Sequence, residues 1–171
     1  PWLIILAMNL IMLATGMFAA LMATTTLIDP MDTHPRLVGV PGFEDPQKVR
    51  GIFGWMMLYL GTLTVGFVDY GLAVVRHSRE RKALRLFRYQ AMIAAVIVTG
   101  AWCGIYGYRV GHPLMVLVAS IGIAAMLIQQ RYIWRAADFP KGTHVGEHFR
   151  ALIGMGISAY TAFLSVGLIR L

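Results

Sequence analysis

The fold class this 171-residue sequence predicts is all-α, a polytopic transmembrane helix bundle of about five spans. Three observations predict it. The chain is 58% hydrophobic and 13% charged, with a mean hydropathy of +0.67, whereas a soluble domain is about 45–50% apolar and about 25% charged. A soluble core of this size does not bury that much apolar surface, so most of it faces lipid or other membrane helices. The apolar residues also gather in stretches near the ~20 residues that cross a bilayer, and the basic residues gather between those stretches. Together these exclude a soluble enzyme, a disordered chain and a secreted disulfide scaffold. Cys103 is the single cysteine and lies inside an apolar run, so no intrachain disulfide forms.

The first span is 2–28, closed by Asp29-Pro30. The sequence starts at Pro1 without an initiator Met, which points to a processed or trimmed N-terminus. A run of 27 apolar residues is too long for a signal-peptide core, so it is read as a spanning helix. The loop 29–50 carries Pro30, Pro35, Pro41 and Pro46, two glycines and four acidic residues, a composition of turns and extended pieces. The second span is 51–75, the third 89–108, the fourth 113–134 and the fifth 149–169. Pro113 opens the fourth where its missing N–H is harmless. Residues 1–171 thus form one transmembrane domain, without an internal repeat.

The net charge of +7 would suggest nucleic acid in a soluble protein; here it is topological, and no nucleic-acid partner is expected. Arg76, Arg79, Arg81, Lys82, Arg85 and Arg88 follow the second span, and Arg131, Arg135, Lys141 and Arg150 lie around the fourth connection. These are ten of the fifteen basic residues. The positive-inside rule makes those connections cytoplasmic, the N-terminus inside and the C-terminus outside. The run 76–88 is expected to meet anionic headgroups. Trp2, Trp55, Trp134, Tyr89, Tyr108 and Tyr132 fall near span ends as interfacial anchors.

Candidate chemistry is sparse. Asp69 lies in the second span, about 10 Å below its cytoplasmic end at 1.5 Å per residue. An acid there is costly, and it marks a proton, cation or cofactor site, or else it is protonated or pairs with Gln129, Gln130 or an arginine on a neighbouring helix. Tyr70 follows it. His77 and His148 fall at the cytoplasmic boundary, His34 and His112 at the outer one, and a b-type haem needs an imidazole from each side. His148 is the best single ligand candidate, because it points down the fifth span. His144 and His148 are spaced i, i+4, but Gly142 and Gly146 interrupt the helix pattern and no third ligand is near, so no metal site is expected. There is no His-Glu-x-x-His, Gly-x-Ser-x-Gly, P-loop or Cys-x-x-Cys, which argues against an enzyme. Gly100 and Gly104 form a GxxxG pair, and Gly154, Ser158 and Ala162 recur every four residues. Small residues at that spacing let helix backbones approach, within the bundle or against another subunit.

The fifth span carries His148, Ile153-Gly154 and Thr161-Ala162-Phe163. In these it resembles the last helix of an uncharacterised family of small polytopic bacterial membrane proteins. The resemblance implies a bacterial cytoplasmic (inner) membrane protein and makes His148 a residue to test; it implies no activity. The leading expectation is a non-catalytic accessory subunit of a respiratory or photosynthetic membrane complex, surrounded by lipid bilayer and other membrane subunits. The rival is a redox module holding haem b or quinone at His148, His77, Asp69 and Tyr70. A proton- or cation-coupled carrier using Asp69 is the third expectation.

Overall fold

The computed structural model describes residues 2–35, 37, 40–41, 43, 45–78, 80–135, 140 and 142–167. Arg36, Arg79, Lys141, Arg170 and the expected end of the fifth span at 168–169 lie outside the described residues, as do the side chains of Trp2 and Phe163. The regular structure is helical, with no strand among the described residues. In chain order they form α1 (Trp2–Ile28), the short α2 (Pro30–Thr33), α3 (Pro46–Val49), α4 (Trp55–Arg76), α5 (Phe87–Arg109), α6 (Pro113–Trp134) and α7 (Thr143–Gly167). A π turn, Arg50–Gly54, joins α3 to α4, and a 3-10 turn, Arg81–Arg85, precedes α5.

Among the described residues four helical stretches are long and apolar enough to cross a membrane: Leu6–Ile28, Pro46–Arg76, Phe87–Arg109 and Pro113–Trp134. α7 is a fifth long helix whose first turns carry His144, Glu147, His148 and Arg150. α4 is the centre of the bundle: 78% of its apolar window is buried, against 17% in α1 and 28% in each of α5 and α6. It packs along α1, α7 and α5, while α6 packs mainly on α5. The large apolar side chains left exposed on α1, α5 and α6, Phe18, Val98 and Ile121 among them, make contact with the lipid bilayer.

Local chemistry explains most boundaries. The second expected span begins earlier than residue 51, because Asp45 accepts the N–H of Gln47 at 2.9 Å and Pro46 takes the first helical position. Arg50 then donates from Nη2 to the Ile28 carbonyl at 3.1 Å, closing the end of α1. α5 ends in a Schellman turn: Gly111 takes φ 68°, and the N–H of His112 reaches the Gly107 carbonyl at 2.8 Å. At the opposite face, Arg81 donates to the Arg135 carbonyl at 2.8 Å and Arg85 to the Ile133 carbonyl at 3.3 Å. The Arg85 guanidinium lies 4.9 Å from the Trp134 ring centroid. Two arginines of the basic run therefore close the end of α6.

α7 starts at Thr143 rather than near 149, and Gly146 lies inside it. Gly142, at φ 91°, supplies the turn before it, and Thr143 Oγ1 donates to the Pro140 carbonyl at 2.8 Å. A glycine within a helix costs about 1 kcal/mol; the contacts that the first turns of α7 make with α4, described below, offset it.

The tightest crossing is one the spacing argument overlooked. A Cβ on Gly61 of α4 would lie 2.8 Å from the Gly16 carbonyl oxygen and 2.9 Å from the Ala20 nitrogen of α1. Only glycine lets these two backbones meet. On the other side Tyr59 is fully buried in the space left by Gly100 and Gly122, where a Cβ would lie 2.7 Å and 1.8 Å from its ring and hydroxyl.

Candidate solute groove

Helical spacing aligns Leu63, Phe67 and Tyr70 on one face of α4, and Gly122, Ala125 and Gln129 on one face of α6. Glu147, Arg150, Gly154 and Thr161 face them from α7. Because α6 packs on α5 and scarcely on α7, a groove of about 330 Å3 remains between α6 and α7, floored by α4. That volume lies at the small end of ligand pockets, which run from about 300 to 1,000 Å3. Most of its wall is apolar, with Phe67, Ile128, Ile153 and Ile157 prominent. A Cβ on Gly154 would lie 2.5–2.9 Å from three Phe67 ring atoms, so Gly154 lets that ring lie flat against α7.

The polar groups gather at the end nearest the basic connections. Glu147 is 4% exposed; it accepts from the Tyr70 hydroxyl at 3.0 Å and forms an ion pair with Arg150. A carboxylate withdrawn from water needs such partners. Arg150 keeps 69% of its side chain exposed and sits at the mouth. Gln129 is 5% exposed, and its Oε1 has no hydrogen-bond partner among the described residues. Further along, Thr64 and Ser158 share a buried hydrogen bond at 2.8 Å.

The residues singled out in the sequence do not converge on one site. Asp69 receives the Arg88 guanidinium at 2.6 Å, and that pair joins α4 to α5. Tyr70, one residue on, turns to the groove. His77 contacts the Tyr89 hydroxyl through Nε2 at 3.3 Å. His148 donates from Nδ1 to the Gly71 carbonyl at 2.9 Å, which commits that nitrogen to holding α7 on α4. The two imidazoles thus serve different helix contacts, His77 between α4 and α5 and His148 between α4 and α7. Gly100 packs against Tyr59 and Ile123, Gly104 against Ala119, and Ala162 against the core. Among the described residues no three His, Cys, Asp or Glu side chains gather in metal-binding geometry.

Sequence reasoning missed Glu147 and Gln129. Gln129 was weighed only as a partner for Asp69, and Glu147 stood among polar residues that resembled a loop. The available signal was the spacing of Glu147, Arg150, Gly154, Ser158 and Thr161, which marks one helix face continuing from the small-residue stripe.

Residues 54–137 match the model of a family described as a sugar efflux transporter for intercellular exchange. The matched segment takes in α4, α5 and α6, just under half of the chain. No curated protein and no solved structure matches. The match corrects two expectations. The resemblance placed on the last helix, to an uncharacterised family, is overturned, since the matched family is a described one and the segment ends before α7. The reading as an accessory subunit of a respiratory or photosynthetic complex, with its redox rival, is overturned as well, because the segment resembles a transporter. Two walls of the groove, α4 and α6, fall inside the match; α7, with Glu147 and Arg150, falls outside it.

Proposed function

We propose that this protein carries a small, neutral, hydroxyl-rich solute of the sugar class across the membrane, and binds it in the α4–α6–α7 groove. The observation that carries this is the match to the sugar efflux transporter model over the helices that form two of the groove's walls. The chemistry is compatible. A sugar ring presents C–H faces, which pack on Phe67, Ile153 and Ile157, and hydroxyls, which suit the Tyr70, Gln129, Glu147 and Arg150 end. Of the residues singled out in the sequence, Tyr70 contributes to this site, whereas Asp69, His77 and His148 hold helices together.

Passage requires the groove to open to each side in turn. α7 is tied to α4 by three hydrogen bonds at two levels, Thr64–Ser158 at one and the adjacent Tyr70–Glu147 and Gly71–His148 at the other, while α6 travels with α5. A rocking of the α5–α6 pair against α4 and α7 widens or narrows the groove without breaking those ties. By the charge of its connections, the groove's polar end faces the cytoplasm, with the start of α1 on the cytoplasmic side of the inner membrane and the end of α7 on the outer side.

Reconstituted into liposomes preloaded with unlabelled hexose, the purified protein is expected to drive saturable counterflow of labelled hexose above protein-free vesicles. Protein that keeps its helical circular dichroism and a cooperative melt, yet moves no mono- or disaccharide, overturns the proposal.

A further inference from the structure

We infer that Gln129 is the specificity-determining residue of the groove, taking a hydroxyl of a neutral sugar with its side-chain amide; this rests on the transport reading above. Four buried side-chain atoms lack a partner among the described residues: Arg50 Nε, His112 Nδ1, Gln129 Oε1 and Gln130 Oε1. Of these residues only Gln129 lines the groove. Its neighbour Gln130 donates to Gln90 Oε1 at 2.7 Å and so serves the α5–α6 contact. A buried acceptor left unpaired costs about 1–3 kcal/mol, and a hydroxyl donor from a bound solute relieves that penalty. The terminal torsion of a glutamine is soft, so a turn of the amide offers the solute both an acceptor and an N–H donor.

The surrounding charges decide what kind of solute fits. Glu147 has its own partners in Tyr70 and Arg150, and its charge is balanced by the guanidinium beside it. A cationic sugar competes with Arg150 for the carboxylate, and an anionic one competes with Glu147 for the guanidinium. A neutral hydroxylated ring disturbs neither and pairs with Gln129. A site built to bond a hydroxyl rejects the analogue lacking it, because the site's own polar group is then left unpaired.

The test is competition of a deoxyhexose series against labelled hexose in proteoliposomes, for the wild type, Gln129→Leu and the near-isosteric Gln129→Met. In the wild type, removing one particular hydroxyl is expected to weaken competition roughly 10- to 100-fold. Either variant is expected to bind the parent hexose weaker by a similar factor and to lose the preference between parent and that deoxy sugar, the signature of a coupled pair. The Met variant keeps the side chain's length, so it reports on the amide if Leu disturbs packing. Transport with an unchanged deoxy profile in Gln129→Met overturns the inference and leaves the transport reading standing. A folded wild type that transports no sugar overturns both.

Discussion

Among the described residues two acids within helices pair with exposed arginines, and the two acids differ in their own burial and surroundings. Asp69 sits on α4 with a fifth of its side chain exposed, and its partner Arg88 is 73% exposed. Glu147 sits near the start of α7, 5% exposed at its side chain, with Tyr70 of α4 as a second donor and a groove before it. In the sequence Asp69 stands out, because its neighbours are apolar. Glu147 is inconspicuous among His144, His148 and Arg150. The comparison teaches that the energetic weight of a charge is set by what folds over it rather than by the hydropathy of its neighbours.

The comparison predicts a graded set of stability losses, measured by thermal or denaturant unfolding in one detergent. The largest is expected for Arg150→Ala, which strips a buried carboxylate of its counter-charge, at about 3 kcal/mol. A loss below that of any Asp69 variant breaks the contrast. Tyr70→Phe removes only a hydroxyl bonded to a charged group, and about 1.5–3 kcal/mol is expected; hexose counterflow falls with it if the hydroxyl also contacts the solute. Asp69→Asn keeps an amide oxygen that still accepts from Arg88, and a loss smaller than that of either change beside Glu147 is expected. A larger loss at Asp69 would reverse the ranking.

Much of the architecture was legible in the sequence. Runs of apolar residues near the bilayer length gave the all-α membrane bundle, since helix formation in lipid follows from local composition and backbone hydrogen bonding alone. Pro113 and Asp45-Pro46 mark helix starts, although only the former was recognised. The site was scarcely legible. Tyr70 was picked as a neighbour of Asp69, and its true partner lies 77 residues away. The tight crossing of Gly16 and Gly61 joins positions that no single-helix spacing rule connects. The early start of α7 also ran against Gly142 and Gly146, because local propensity weighs less than the contacts that Glu147 and His148 make across the bundle.

By itself, then, the sequence determined that the chain is a helical membrane protein, with polar, basic connections between apolar helices; these follow from transfer energies that each segment carries with it. Which helices touch was decided only by tertiary structure: α4 buried at the centre, α6 drawn to α5, and α7 tied to α4. So was the outcome of that arrangement, a groove in which Gln129, Tyr70, Glu147 and Arg150 meet. The physical reason is that hydropathy is additive along the chain, whereas a hydrogen bond or a close backbone crossing depends on pairs of residues that the chain separates and only packing brings together.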